Sequence, residues 1–413
     1  MILANGKIFG NEKSGELLNA MRNNIISALS DKKIDRTKLI SACDRLGKRI
    51  ADGEFSEKAA ELTGGTVSAE QIMSAAEMLS ADSLNARLSA ELGEDIHRAK
   101  PLGVLFHIAA GNADGLPAYS VVEGLLAGNV NILKLPQADS GLSVSILYEL
   151  IKEEPSLAPF VYVFDTPSSD IEGMKRLAAM SDGIIVWGGD EAVKAVRQLA
   201  APHQRIIEWG HKLSFCYVSE IGMENTAELT QLAEHIILTD QLLCSSCQTI
   251  YLDISDNSKA EKFCERFLKI LETAAKKHDH SANGFGAGAA LELYCERLEA
   301  IAYPENAEKK LFCGKGVSVT LGGKPYPELS KMFGNPLVKM LPRSEMVSHF
   351  FGDRGHMQTA GLICGENERE QLSDLLIRAG AVKVQPPAEM SEMHTGEPHD
   401  GEFALRRYVK IME

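Results

Sequence analysis

The stretch 101-PLGVLFHIAAGNADGLPAYSVVEGLLAGNVNILKLPQADS-140 indicates the fold. Its two apolar runs, GVLFHIAA and NVNILKL, flank a helical stretch at 116–128. The alternation continues through FVYVFD, GIIVWG and RIIEWG, with helical stretches between these runs. Strands that alternate with helices at this spacing favour a parallel sheet covered by helices on both faces. The sequence therefore predicts an α/β fold whose ligands bind at the carboxyl ends of the strands.

The chain on either side extends this pattern into more than one domain. Residues 11–92 have the three- and four-residue apolar spacing of helices. A second α/β unit begins at about His211, and the turn-rich loop 385–402 is expected to have a functional or interfacial role. A chain of 413 residues exceeds the size of one hydrophobic core, so at least two packed units are expected.

Composition excludes several classes of protein. A formal net charge of −14 argues against nucleic-acid binding, which depends on clustered Lys and Arg. No window reaches the roughly 18 consecutive apolar residues of a membrane span. The first residues do not have the basic and apolar pattern of a secretory signal, so we expect a cytoplasmic protein whose eight cysteines are mostly reduced and buried.

The segment 240-DQLLCSSCQ-248 contains two cysteines at the spacing of a redox or metal motif. A structural zinc site needs about four ligands in a closed set, and the sequence has no second CxxC, so we expect no metal. A thioredoxin-like CxxC would lie early in a small βαβ unit. From the residues alone, Cys244 is either a buried structural cysteine or a nucleophile.

A second candidate site follows the strand GIIVWG. In 186-VWGGDEAV-193 a strand leads through Gly188 and Gly189 into a helix. A helix N-terminus behind glycines is a natural site for a pyrophosphate, because its free N–H groups and its dipole favour anions. Lys134, which ends an earlier strand, could meet a ribose or phosphate oxygen at the same sheet edge.

Taken in order, these motifs resemble the aldehyde dehydrogenase superfamily. The order is Gly128-Asn129, Lys134-x-Pro136, the Gly pair, Glu208-x-Gly-x-Lys212 and Cys244. More narrowly, EWGHKLSF, DQLLCSSCQ, HMQTAG and GEPHDG resemble the LuxC family of long-chain acyl-CoA reductases, from about residue 84 to the C-terminus.

The resemblance implies an aldehyde dehydrogenase-like fold with two main domains. A Rossmann-type NAD(P)-binding domain with the helical front would span 1–210, including a small oligomerisation arm at about 84–100. An α/β catalytic domain would span 211–385. The segment 386–413 would serve oligomerisation or return to the cofactor domain.

The resemblance also implies roles for individual residues. Cys244 matches the nucleophile, and Cys247 lies where relatives often have another residue. Asn112 matches the side chain that forms an oxyanion hole with the Cys244 backbone N–H; alternatively it caps the following helix. Glu208 matches the general base of aldehyde-oxidising members; alternatively it pairs with His211 or Lys212.

For the cofactor, Lys134 matches a ribose ligand, and Gly188 and Gly189 match the phosphate site. Gln137 replaces a Glu that NAD-selective members tend to have, so NADPH is favoured, with NADH as the alternative. The second ribose Glu would fall on Lys331, before Phe333-Gly334, which is a departure from the superfamily pattern. His399 and Asp400 of GEPHDG are interpreted as a structural turn.

The function implied is NADPH-dependent reduction of a long-chain acyl-CoA to the aldehyde through an acyl-enzyme on Cys244. The alternative is an NAD(P)-dependent aldehyde dehydrogenase that produces the free acid. A third class is a scaffold subunit that holds acyl groups without turning over a cofactor. The resemblance also implies a homo-oligomer and an acyl-transferring partner enzyme.

Overall fold

The computed structural model describes residues 1–63, 69–109, 115–137, 139–280, 309–323, 326–392 and 396–413, with a few further positions between 288 and 302. The chain divides into two compact units. One unit comprises Met1–Gly210 and His394–Glu413, and the other comprises His211–Met393.

The first unit is built on a sheet that has seven strands among the described residues. In spatial order they are β2 (Lys7–Phe9), β1 (Ile2–Ala4), β6 (Val161–Phe164), β5 (Val130–Lys134), β4 (Val104–Ile108), β7 (Gly183–Trp187) and β8 (Arg205–Trp209). Strands β4 to β8 pair in parallel, whereas β1 and β2 form an antiparallel hairpin at one edge. The parallel strands are mostly buried, which explains their continuous apolar runs.

Helices of the first unit lie between β2 and β4 and then alternate with the later strands of the sheet. They are α1 (Ser14–Asp31), α2 (Arg36–Ala51), α3 (Ser56–Thr63), α4 (Ala69–Met78), α5 (Ala81–Leu92), α6 (Leu116–Leu126), α7 (Leu142–Glu153), α8 (Ile171–Ala178) and α9 (Asp190–Leu199). Their starts follow local chemistry: Asp35, Ser80 and Asp170 each cap a helix by accepting backbone N–H bonds. Gly124 allows α6 to lie close to β5, because a methyl group there would overlap the Asn131 side chain.

The second unit is also built on a sheet, which has seven strands among the described residues. In spatial order its strands are β11 (Lys309–Cys313), β12 (Ser318–Gly322), β13 (Leu337–Met340), β10 (Cys247–Leu252), β9 (Leu213–Val218), β14 (Met357–Ile363) and β15 (Lys383–Gln385). All pair in parallel except β11, which is antiparallel to β12. The helices are α10 (Thr226–Leu238), α11 (Asn257–Lys277), α12 (Met346–His349) and α13 (Arg369–Ala379). Hydrophobic clusters on the two faces of this sheet form its core.

The C-terminal stretch 396–413 belongs to the first unit. It contains α14 (Ala404–Arg407) and β16 (Val409–Ile411), and β16 pairs antiparallel with β3 (Ala99–Pro101). The backbone N–H of Leu405 donates to Glu91, and the hydroxyl of the buried Tyr408 donates to Glu123. Charge-assisted bonds to buried carboxylates thus hold the C-terminal segment in place.

The segment 84–100, where the resemblance implies an arm, contains most of α5 and the start of β3. Leu84, Leu88 and Leu92 are buried in the core of their own unit. Contact of this segment with a neighbouring subunit stays a prediction. Across the described ranges, no helix is both long enough and apolar enough to cross a membrane.

Candidate active site

Four of the candidate residues lie at one edge of the first sheet. Lys134 ends β5, Gly188 and Gly189 follow β7, and Glu208 is the penultimate residue of β8. Because β5, β4, β7 and β8 are parallel neighbours, their carboxyl ends share this edge. Asn112 falls after β4 but lies outside the described residues.

Lys134 is a buried cation at this edge. Its Nζ donates to Ser168 Oγ at 3.0 Å. Burial lowers the pKa of Lys134, and nearby Asp165 partly opposes that shift. An anionic or hydroxyl ligand would compensate a desolvated ammonium group, so Lys134 fits a ribose or phosphate contact. Gln137 follows in the chain and is exposed.

The glycine pair leads into the N-terminus of α9. Gly189 is the N-cap residue, and no side chain caps the helix through a hydrogen bond. A methyl group at Gly189 would meet no atom within 4 Å, so a ligand has open access to the backbone there. The first turn contains Asp190 and Glu191, however, and their charges oppose a bound anion. Lys134 and the accessible backbone of Gly189 therefore suit a dinucleotide at this edge. The two acidic residues in the first turn of α9 weaken the binding of its phosphates.

Glu208 is held by an arginine that sequence reasoning missed. Arg197 Nε and Nη2 donate to the two carboxylate oxygens at 2.6 and 2.7 Å. The sequence analysis gave His211 or Lys212 as the alternative partner of Glu208. In the structure, Lys212 donates to the Gly355 carbonyl instead. Arg197 is eleven residues from Glu208 in the chain, on the helix that precedes its strand. The bidentate pair therefore engages both oxygens of the carboxylate.

The GEPHDG segment lies against two tryptophans at the same sheet edge. Trp187 and Trp209 stack with ring centroids 5.4 Å apart, and His399 meets both rings edge-on. His399 Nδ1 lies 3.4 Å from the carboxylate of Asp400, which has a positive φ of 51°. The contacts support the interpretation of this segment as a structural turn.

Cys244 belongs to the second unit, in the loop between α10 and β10. Its side chain is exposed. The Ser214 hydroxyl donates to the Cys244 carbonyl at 2.7 Å and accepts from the Thr359 backbone N–H at 3.0 Å. Two strands, β9 and β14, therefore fix the backbone that presents the thiol.

The neighbouring Cys247 has a different environment. It is fully buried in the core, and its thiol donates to the Thr249 carbonyl at 3.5 Å. Burial raises the pKa of Cys247 to about 12, so it stays protonated and unreactive at neutral pH. Among the described residues, no group of three or more His, Cys, Asp or Glu side chains could hold a metal ion.

Two glutamines connect the Cys244 loop to the segment 330–335. Gln241, at φ 59°, donates to the Cys247 carbonyl at 2.8 Å and accepts from the Asn335 backbone N–H at 3.0 Å. Gln248 accepts from both the backbone N–H and the hydroxyl of Ser330. Phe333-Gly334 is thereby held next to the Cys244 loop. Lys331, the departure from the superfamily pattern, pairs with Glu292 at 2.7 Å.

Gln358 is a further residue that sequence reasoning missed. Its side-chain Nε2 donates to Cys244 Sγ at 3.4 Å from a position that is only 8% exposed. The signal in the sequence was a polar side chain inside the strand HMQTAGLIC, but only the folded chain brings residues 358 and 244 together.

Comparison with known proteins places these features in context. A family model described as acyl-CoA reductase (LuxC) matches residues 32–411. The long-chain acyl-protein thioester reductase of Aliivibrio fischeri is 28% identical over 198 residues, which cover 46% of this chain and 41% of that protein. The long-chain acyl-protein thioester reductase 2 of Photobacterium leiognathi is 27% identical over 329 residues, which cover 78% of this chain and 66% of that protein. The chain thus spans about two fifths to two thirds of the length of these curated relatives.

Solved structures of aldehyde dehydrogenases have the same fold. A putative aldehyde dehydrogenase from Burkholderia cenocepacia has a TM-score of 0.68 and 17% identity, covering 99% of this chain and 94% of that one. Glyceraldehyde-3-phosphate dehydrogenase GapN from Methanocaldococcus jannaschii, complexed with NADP, has a TM-score of 0.65 and 14% identity, covering 98% and 94%. The predicted aldehyde dehydrogenase-like α/β fold is confirmed.

Proposed function

The chain belongs to the LuxC family of acyl-CoA reductases, and on that premise we propose that it reduces an acyl thioester to the aldehyde with a nicotinamide cofactor. The observation that carries the proposal is the exposed Cys244 thiol, fixed at its backbone by Ser214 and in contact with a side-chain N–H donor. A thiol presented in this way suits nucleophilic attack on a thioester carbonyl.

The chemistry begins with the Cys244 thiolate. Its electron pair forms a bond to the acyl carbon, and the carrier thiolate leaves and takes up a proton, so an acyl group is transferred to the enzyme. Asn112 and the Cys244 backbone N–H are the proposed donors to the developing oxyanion. When bound, the reduced nicotinamide supplies the hydride that converts the acyl-enzyme to the aldehyde. Release of the aldehyde restores the Cys244 thiolate.

For the cofactor we propose NADPH in preference to NADH. Lys134 would contact the ribose, and Gln137 places no negative charge where a 2′-phosphate would lie. The open backbone at Gly189 supports the phosphate contact, in spite of the acidic residues that follow. A similar solved structure, that of the archaeal GapN, holds NADP.

The acyl carrier is either coenzyme A or a protein thiol. The family description names acyl-CoA, whereas the curated relatives are named for acyl-protein thioesters. Both carriers present the same carbonyl to Cys244, and an acyl-transferring partner enzyme would suit the second. Leu242 and Leu243, which immediately precede Cys244, are 54% and 50% exposed and support an apolar acyl group.

Oxidation of an aldehyde to the free acid is the alternative, because Glu208 matches the base that would activate water. The bidentate pair with Arg197 turns that carboxylate towards α9 and favours the reductase. A scaffold subunit without cofactor turnover is a third alternative. We further propose a symmetric homo-oligomer, which light scattering of the purified protein would measure.

The test uses acyl-CoAs of increasing chain length, with NADPH and NADH absorbance followed in parallel and products identified by mass spectrometry. We expect NADPH oxidation, aldehyde and released coenzyme A, all lost in Cys244→Ala. Acid formation from aldehydes without coenzyme A would favour the dehydrogenase. Absence of NADPH binding by calorimetry in the folded protein would favour the scaffold.

A further inference from the structure

Gln358 is a polar residue on a strand that is otherwise suited to a core. Every residue of β14 is buried, and the side chains near Gln358 on its face include Ala360 and Leu362, in the aromatic cluster with Phe215. Burying an amide costs about 1–3 kcal/mol when its hydrogen bonds are not replaced. An apolar side chain would pack equally well at this position without that cost. The contacts of the Gln358 amide therefore indicate a role other than packing.

The amide contacts the sulfur of Cys244. Gln358 Nε2 donates to Cys244 Sγ at 3.4 Å, a normal distance for a hydrogen bond to sulfur. A thiol is a weak acceptor, whereas a thiolate is a strong one. A donor at this position therefore stabilises the charged form of Cys244 more than the neutral form.

The same strand also fixes the backbone of Cys244. Thr359, the next residue of β14, donates its backbone N–H to Ser214 Oγ, which in turn donates to the Cys244 carbonyl. Two adjacent residues of β14 thus act on the cysteine, one through its backbone and the other at its sulfur. Gln358 thereby restricts the direction of the Cys244 side chain.

Charged groups around Cys244 are largely occupied with other partners. Asp240 of the same loop lies 3.3 Å from the ring of His280, which follows α11 in the chain. His235 of α10 accepts from the Cys247 backbone N–H at 3.3 Å, and burial lowers its pKa to about 4, so it is neutral. Lys212, before β9, donates to the Gly355 carbonyl at 2.8 Å, and His356 directly precedes β14. The Gln358 amide donates to the sulfur, whereas Asp240, His235 and Lys212 contact other groups.

We propose that Gln358 is a positioning residue that holds the Cys244 sulfur in one direction and favours its thiolate. Its part in turnover rests on the proposed function, but its effect on the sulfur requires no substrate. The Gln358 amide would then contribute to activation of the nucleophile.

The experiment measures the rate at which iodoacetamide alkylates Cys244 between pH 5 and 10, by peptide mass mapping. The variants are Gln358→Met, which keeps the size and removes the donor, and Gln358→Glu, which places a negative charge at the sulfur. We expect the midpoint of the profile to rise by about one to two pH units in Gln358→Met, and further in Gln358→Glu. Cys313, an exposed cysteine of the same unit, is the internal control and should keep its profile.

Unchanged midpoints in the variants, with circular dichroism equal to wild type, would overturn the proposal, as would a lower midpoint in Gln358→Glu. If one variant fails to fold, the alkylation midpoint of the other variant tests the proposal. In the reductase assay, Gln358→Met should lose about tenfold or more in kcat at neutral pH and recover as pH rises. If no thioester is reduced but the alkylation midpoint rises, the proposed function fails and the positioning role stands.

Discussion

Arg197 binds both carboxylate oxygens of Glu208 through Nε and Nη2, at 2.6 and 2.7 Å. The bond raises the pKa of Arg197, so the guanidinium remains charged throughout the usual range. Arg197 is largely exposed, and a solvent-screened pair of this kind contributes little to stability. Its consequence is therefore expected in chemistry rather than in folding.

Removing this arginine should change the products. In Arg197→Gln the Glu208 carboxylate loses its bidentate partner and becomes available to a water, so we expect more free acid relative to aldehyde, by about tenfold. Product analysis of single-turnover reactions measures the ratio. Lys194→Gln removes the same charge from an exposed position of α9 and is the matched control. An unchanged ratio in Arg197→Gln, or an equal change in Lys194→Gln, would show that the pair does not control water.

Cofactor preference should depend on residue 137. Gln137→Glu introduces a carboxylate that repels a 2′-phosphate, so we expect affinity for NADPH to fall by about tenfold or more while that for NADH changes little. Calorimetry with both cofactors gives the two dissociation constants. Gln198→Glu, an exposed position on α9, provides a control for the added charge. A parallel loss for both cofactors would contradict the assignment of Gln137.

Acid should destabilise the first unit through His107. This histidine is fully buried between Ser120 and Asn131, and burial lowers its pKa from 6.5 to about 4. The unfolded chain therefore binds a proton that the folded chain does not, and stability falls as pH drops from about 6.5 to about 4, by up to about 3 kcal/mol. Thermal melting across this range should be less pH-dependent in His107→Gln. The exposed His203→Gln should keep the wild-type dependence, and an identical slope in all three proteins would contradict this account.

Cys247 should matter for stability and not for chemistry. Cys247→Ala leaves a small cavity in the core of the second unit, so we expect a loss of about 1–3 kcal/mol in the free energy of unfolding. Denaturant unfolding and acylation by acyl-CoA are measured together, with the buried Cys264→Ala as the matched control. Loss of acylation in a folded Cys247→Ala protein would assign Cys247 a chemical role.

Much of the fold could be predicted from the sequence because apolar runs and helical spacing are local properties. The five parallel strands of the first sheet were predicted within a few residues. Strands β1 and β2, of three residues each, were missed, because such short runs differ little from loops. Their pairing with a sheet is a tertiary property.

The site was less predictable than the fold. Motif order identified Cys244, Glu208 and Lys134 as candidates, but neither of the residues that contact the first two could be found in this way. Arg197 reaches Glu208 across a turn, and Gln358 reaches Cys244 over 114 positions of sequence. Hydrogen bonds between distant segments leave no spacing pattern, and Gln358 reaches the cysteine from β14, a strand that pairs with β9.

The most direct measurement of the central claim is the intact mass of the protein after incubation with a long-chain acyl-CoA in the absence of NADPH. We predict a gain of one acyl group, mapped to Cys244 by peptide analysis, lost on adding NADPH and absent in Cys244→Ala. An acyl group on another residue, or one that persists in the folded Cys244→Ala protein, would contradict the account.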